Sequence, residues 1–164
     1  MQNTYDDPVD KIIAQWMALG YSKQELIAME TIGRIKRIEV QGMKKLEENY
    51  KKFDLSWWEF DVLATLKRSN ATLTPTTLFK DMMVSSGTMT HRLQQLEKRE
   101  LIERVIDSND KRSLMVKLTA KGEKLIHECV PAHITLENQL LSHLTTNEVE
   151  TLNQLLRKLE NSLK

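Results

Sequence analysis

Between Ser85 and Arg99 the chain concentrates small, uncharged, hydrogen-bonding side chains. Wound as a helix at roughly 100° per residue, this stretch places Met89, Leu93 and Leu96 on one side. Gly87, Thr90, His91, Gln94 and Gln95 then point the other way, with Ser86 and Thr88 on the flanks and Ser85 at the start. Glutamine and histidine both donate and accept hydrogen bonds, and threonine can also touch a thymine methyl. Such a face can approach base edges in a major groove. A merely solvated helix is the competing reading, but solvated faces normally carry more Glu and Lys. Further on, Lys111 and Arg112 lie in a polar turn, where an arginine can enter a narrow minor groove. Asp107 and Asp110 look misplaced beside DNA, yet a carboxylate paired with Arg112 would hold its fork in one orientation. The competing reading there is an ordinary charged hairpin tip.

These residues need a scaffold, and the flanking sequence supplies one. Ser22 with Glu25, Ser56 with Glu59 and Thr145 with Glu148 have the spacing of capping boxes, so each marks a helix start. The second opens a helix over about 56–68, in which Phe60, Leu63 and Leu66 recur at helical spacing. Residues 70–74 read as a polar turn. Thr74 then caps a short helix with Pro75 at its first position, ending near Met82. Val84-Ser85-Ser86-Gly87 gives a tight turn, and a helix follows to about Arg99. Short helix, tight turn and second helix make a helix-turn-helix. After Glu100 the period changes: Leu101 to Ile106 and Leu114 to Leu118 read as two strands joined by the turn at 107–112. A hairpin placed directly after a helix-turn-helix is a wing.

Both ends of the chain read as helical. Met29, Ile32, Ile35, Ile38, Met43, Leu46 and Tyr50 recur over about 26–52, and 119–144 reads as one long helix disturbed at Pro131. The last helix carries Val149, Leu152, Leu155, Leu156, Leu159 and Leu163 in a three-four alternation. Seams this apolar exceed the needs of a small winged lobe, and the expected partner is a second copy of the chain. Packing within one monomer is the alternative. The expected fold is mainly α with a small β-hairpin wing. Residues 55–122 would form a winged helix-turn-helix lobe, and 1–54 and 123–164 dimerisation helices.

Composition narrows the function classes. At 164 residues, 40% hydrophobic and 29% charged, the chain suits one globular domain with a real core. The net charge of +1 hides a basic middle: Arg92, Lys98, Arg99, Arg104, Lys111, Arg112, Lys117 and Lys121 outnumber the nearby acids. No apolar run is long enough to span a bilayer, and the acidic start lacks the layout of a signal peptide. The single Cys129 excludes an internal disulfide and suits a reducing compartment, so a cytoplasmic protein without membrane partners is expected. Cys129 itself reads better as a buried inert thiol than as an oxidant sensor. His127, His133 and His143, with Glu128 or Glu137, offer no i, i+4 histidine pair, so no metal or other cofactor is expected. No phosphate-binding loop, nucleophile elbow or metalloprotease motif occurs, and Glu47/Glu48 sit on a polar face. An enzyme is not expected.

Asp107-x-x-Asp110-x-Arg112, followed by Leu118-Thr119-x-x-Gly122, resembles the wing signature of the MarR family. Ser86-Gly87-Thr88-Met89-Thr90-His91-Arg92-Leu93, with Leu96-Glu97 and Leu101-Ile102, is similar to that family's recognition helix and first wing strand. The resemblance is strong over 55–122 and looser through both ends. It implies a homodimeric transcriptional regulator, commonly a repressor, that binds a pseudo-palindromic operator in double-stranded DNA and is released by a small ligand or oxidant. A second resemblance, over 7–16 and 59–66, is to the family's urate-responsive, PecS-like subgroup. It implies a small anionic or aromatic effector, urate being one example, held by Trp16, Asp61, Arg68 and Arg92. The stretch 18–24 departs from that subgroup, lacking its Pro-Asp-Leu pattern. Trp16 then also reads as a core anchor, and Arg92 as a phosphate or salt-bridge partner. From other classes, a winged-helix protein-interaction module and a low-specificity chromosome-associated protein remain as alternatives.

Overall fold

The computed structural model describes residues 7–82, 86–106 and 114–163, with Phe79, Asp81, Ser86 and Gly87 by backbone only. The elements are α1 (Pro8–Ala18), α2 (Lys23–Tyr50), a three-ten turn (Lys51–Phe53), α3 (Trp57–Ser69), α4 (Pro75–Asp81) and α5 (Ser86–Lys98). They continue with β1 (Ile102–Ile106), β2 (Leu114–Leu118), α6 (Ala120–Leu140) and α7 (Thr146–Asn161). The chain forms two compact units, Met1–Lys45 and Leu46–Lys164, and α2 runs from the first into the second.

In the first unit, Asp7 caps α1 by accepting a hydrogen bond from the Val9 amide at 2.8 Å, and Pro8 takes the first helical position. Gly20 turns the chain at φ +100°, a conformation that side chains with a Cβ rarely adopt. The Ser22–Glu25 box then starts α2 three residues before the apolar pattern begins. Val9, Ile13 and Leu26 form a small core. Arg34 pins the two helices together, bonded to Asp10 at 2.6 Å and Asp7 at 3.2 Å, with Glu30 one turn back on its own helix. Most of the apolar positions of α2 find no cover among the described residues: Ile27, Ile32 and Ile38 are well exposed.

The second unit holds the main core. Val62, Leu63 and Leu66 of α3 meet Leu78 of α4, Met89, Leu93 and Leu96 of α5, Val116 of β2 and Ile126 of α6. Tyr50, at the end of α2, stacks on Phe60 at 4.5 Å and is hydrogen-bonded through its hydroxyl to His133 Nδ1 at 2.9 Å. The wing strands pair antiparallel, Ile102 opposite Leu118 through Ile106 opposite Leu114. Leu73 adds a one-residue bridge to Val116, with the Val116 amide donating to the Leu73 carbonyl at 2.7 Å. The turn read at 70–74 therefore ends as part of the wing sheet. A single paired residue has no period, so alternation could not announce it.

Two boundaries differ from the sequence reading. The long helix passes through Pro131 but stops at Leu140, four residues early. The chain turns over 141–144 before the Thr145–Glu148 box opens α7. Likewise, Ser86 is the first residue of α5 and not part of the turn before it.

At the start of α6, helix and wing touch backbone to backbone. The Thr119 amide donates to the Leu101 carbonyl at 3.2 Å, and a Cβ on Gly122 would lie 2.0 Å from that same oxygen. The helix can dock this closely only with glycine. Gly122→Ala is expected to lower stability by about 1–3 kcal/mol, the usual penalty for overpacking a tight contact. Urea unfolding checks it; a midpoint equal to that of the parent protein would contradict the tight docking.

Candidate nucleic-acid interface

Helix α5 presents two distinct faces. Met89, Leu93 and Leu96 are sealed in the core, each 1% exposed or less. Thr88, Thr90, His91, Gln94 and Gln95 all face solvent, joined by Lys98 near the end. The division follows from period alone: apolar residues at i, i+4 and i+7 bury one stripe and leave the other outward. The exposed stripe is polar and almost uncharged. Ser86 lies at the helix start. Ser85, Asp107, Asp110, Lys111 and Arg112 fall outside the described residues.

Charged clamps on its flanks fix the orientation of α5. Arg99, just past its end, donates through Nη1 to Glu59 at 2.6 Å and through Nη2 to the Asp54 carbonyl oxygen at 2.7 Å. A third bond runs from Nη2 to the Asp54 carboxylate at 2.9 Å. Glu59 is only 7% exposed and also closes the capping box of α3, accepting from the Ser56 amide and hydroxyl at 2.8 and 2.7 Å. Burial pushes its carboxyl up, but the bonds from Ser56 and Arg99 outweigh that and hold it below the ordinary glutamate value. On the other side, Glu97 of α5 pairs with Arg104 of β1 at 3.1 Å, tying the helix to the wing. The contacts of Arg99 with Glu59 and Asp54 were not legible in the sequence, because they join residues 40 and 45 positions apart.

Of the four residues suggested for a ligand, three lie in the second unit. Asp61 is half-buried on α3; burial pushes its carboxyl up, while Arg68 and Arg92 draw it partly back. Arg68 is exposed. Arg92 is half-buried, with its Cζ 5.3 Å from the Trp58 ring centroid and 6.0 Å from that of Trp57. Its Nη1 is buried without a hydrogen-bond partner. Trp57 and Trp58 escaped the sequence reading, since two indoles at the first turn of a helix add nothing to its period. Trp16 belongs to the first unit, where it is partly exposed and meets Tyr21 edge-on at 5.5 Å. Cys129 is buried, and burial raises its thiol to about 11, which keeps it protonated and unreactive at neutral pH. Among the described residues no three His, Cys, Asp or Glu side chains gather as a metal site.

Comparison with known proteins gives this arrangement a context. The model of the MarR family matches residues 55–114. The HTH-type transcriptional regulator PecS of Dickeya dadantii is 31% identical over 157 residues, covering 94% of each chain. The multiple antibiotic resistance protein MarR of Escherichia coli K12 is 34% identical over 131 residues, 77% of this chain and 89% of that one. Among solved structures, a mutant E. coli MarR complexed with operator DNA aligns with a TM-score of 0.73 at 32% identity, covering 82% of this chain and 96% of the other.

Proposed function

The chain belongs to the MarR family, and from that premise we propose that it is a sequence-specific DNA-binding transcriptional regulator that acts as a homodimeric repressor. The carrying observation is the outward face of α5, where Thr88, Thr90, His91, Gln94 and Gln95 stand exposed over a sealed core face. Laid in a major groove, that face reads base edges, while Lys111 and Arg112 of the wing reach the backbone or the minor groove. Asp107 and Asp110 would orient Arg112. Solved structures similar to this chain include a mutant MarR complexed with operator DNA and the MepR–DNA complex of Staphylococcus aureus, which supports the DNA-binding reading.

Dimer formation follows from what the helices leave uncovered. Helix α7 buries none of its residues, yet Leu152, Leu155, Leu156 and Leu159 lie on it exposed. Ile134 on α6, Leu141 just past its end and the uncovered isoleucines of α2 add to the apolar surface. Exposed apolar surface on this scale marks an interface. A two-fold copy is the simplest partner, and it would set two α5 helices one turn of duplex apart, matching a pseudo-palindrome. In this account 55–122 is the DNA-reading lobe, and 1–54 with 123–164 make the dimer. No helix among the described residues is long and apolar enough to cross a membrane; the protein would work in the cytoplasm, at its operator.

Release would come from a small anionic or aromatic effector at Asp61, Arg68 and Arg92, with urate as the first compound to test. Because Arg92 belongs to α5 itself, a ligand that pulls on it pulls on the DNA-reading helix.

The test is anisotropy titration of a labelled operator duplex at several salt concentrations. Each neutralised phosphate contributes a slope of about −0.9 to log K against log salt. A steep negative slope is expected for the parent protein. Gln94→Ala should weaken binding to the cognate duplex by about tenfold, the value of one base contact, with the salt slope kept. Equal binding of parent and variant to every duplex would favour a low-specificity chromosomal protein, and no duplex binding at all a protein-interaction module.

A further inference from the structure

Lys121, Lys124, Leu125 and Glu128 stand at i, i+3, i+4 and i+7 of α6 and share one face of that helix. With Phe53 and Asp54 after α2, and Arg99 and Leu101 after α5, they line a surface cavity of about 440 Å3. That size falls within the range of small-molecule sites. Its wall is apolar where the core reaches it: Leu101 is 1% exposed, and Phe53 and Leu125 are half-buried against the same core. The charged lining divides into committed and open groups. Arg99 is held by Glu59 and Asp54, which answers Asp54 as well. Lys121 donates to the Arg99 carbonyl at 2.8 Å and pairs with Glu100 at 3.3 Å. Lys124 and Glu128 are exposed, and neither has an ion pair among the described residues. They are one turn apart yet do not close on each other; lysine before glutamate is the weaker order for a pair within a helix. The cavity therefore offers one unanswered cation, one unanswered anion and an apolar wall.

We propose that this cavity binds an apolar α-amino acid, with its carboxylate on Lys124, its ammonium on Glu128 and its side chain against Phe53, Leu101 and Leu125. A ligand with a carboxylate alone meets Glu128 as a like charge, and one with an ammonium alone meets Lys124 in the same way. Only a ligand carrying both charges close together answers the two side chains at once. The apolar wall then selects for a hydrocarbon tail over a polar one. The site shares no residue with Asp61, Arg68 and Arg92 or with the exposed face of α5, so it stands apart from the DNA-binding reading. Its occupant lies against Arg99 and Asp54, whose bonds hold the end of α5 to the chain just before α3.

The experiment uses the full chain without DNA, titrated calorimetrically at low salt with L-leucine and L-phenylalanine. Glycine serves as the probe without a tail, and the deaminated and decarboxylated analogue of each amino acid as the probes with one charge. At least one of the two amino acids should bind saturably, and glycine about tenfold more weakly, the scale of one buried apolar side chain. Lys124→Gln and Glu128→Gln should each weaken that amino acid by about fivefold, the upper end for an exposed ion pair. Lys124→Arg, which keeps the charge, should bind close to the parent. Both positions are exposed and hold nothing else in the fold, so these variants fold as the parent does. No saturable binding by either amino acid, equal affinity for a singly charged analogue, or unchanged affinity in both Gln variants would overturn the proposal.

Discussion

Leu155→Glu is expected to split the dimer and to lower operator affinity by about 100- to 10,000-fold, the advantage that linking two half-site contacts normally confers. The position is chosen because nothing within one chain holds it. Leu155 is 60% exposed on a helix with no buried residue, so the substitution disturbs no intramolecular core. Glutamate is also a good helix former, and α7 keeps its Thr145–Glu148 capping box. What the change does is place a charge in a seam that Leu152, Leu156 and Leu159 would fill against a second copy. Sedimentation should then report the mass of one chain where the parent gives two. A dimeric variant that binds operator as the parent does would remove α7 from the interface and, with it, the account of how two α5 helices are spaced.

Glu59→Ala should cost about 2 kcal/mol of stability, adding the loss of a capping side chain to the breaking of a largely buried ion pair. Glu59 receives the Ser56 amide and hydroxyl and Arg99 Nη1 together, so one substitution releases the start of α3 and the end of α5. Arg99 keeps its bonds to Asp54, which limits the loss. The effect carries a pH signature. Because the folded protein holds the Glu59 carboxyl below its ordinary value of 4.5, its contribution is complete above that value. It disappears as the pH falls through the lower folded value. Urea midpoints of parent and variant should therefore differ clearly at neutral pH and converge in acid. A gap that persists unchanged into strong acid would show that the carboxylate charge is not what holds α5 in place.

Features set by local chemistry were legible in advance. The three capping boxes mark the starts of α2, α3 and α7, and the period of Met89, Leu93 and Leu96 separated the buried from the exposed face of α5. Branched residues over 101–106 and the alternation of Leu114, Val116 and Leu118 located the two wing strands. What stayed hidden depends on residues meeting through space. Arg99 and Glu59 are 40 positions apart, and Leu73 joins Val116 across two helices. Trp57 and Trp58 meet Arg92 only through the packing of the folded chain. The end of α6 at Leu140 was misplaced because apolar residues continue through Leu141 and Leu144, where the chain has already turned.

The most direct test of the regulator assignment is selection of duplexes from a random pool by the purified full-length protein. The account predicts a winning sequence that is pseudo-palindromic, with half-sites about one helical turn apart, and that loses its enrichment when Gln94 is replaced by alanine. A pool that emerges with no enriched sequence would contradict it.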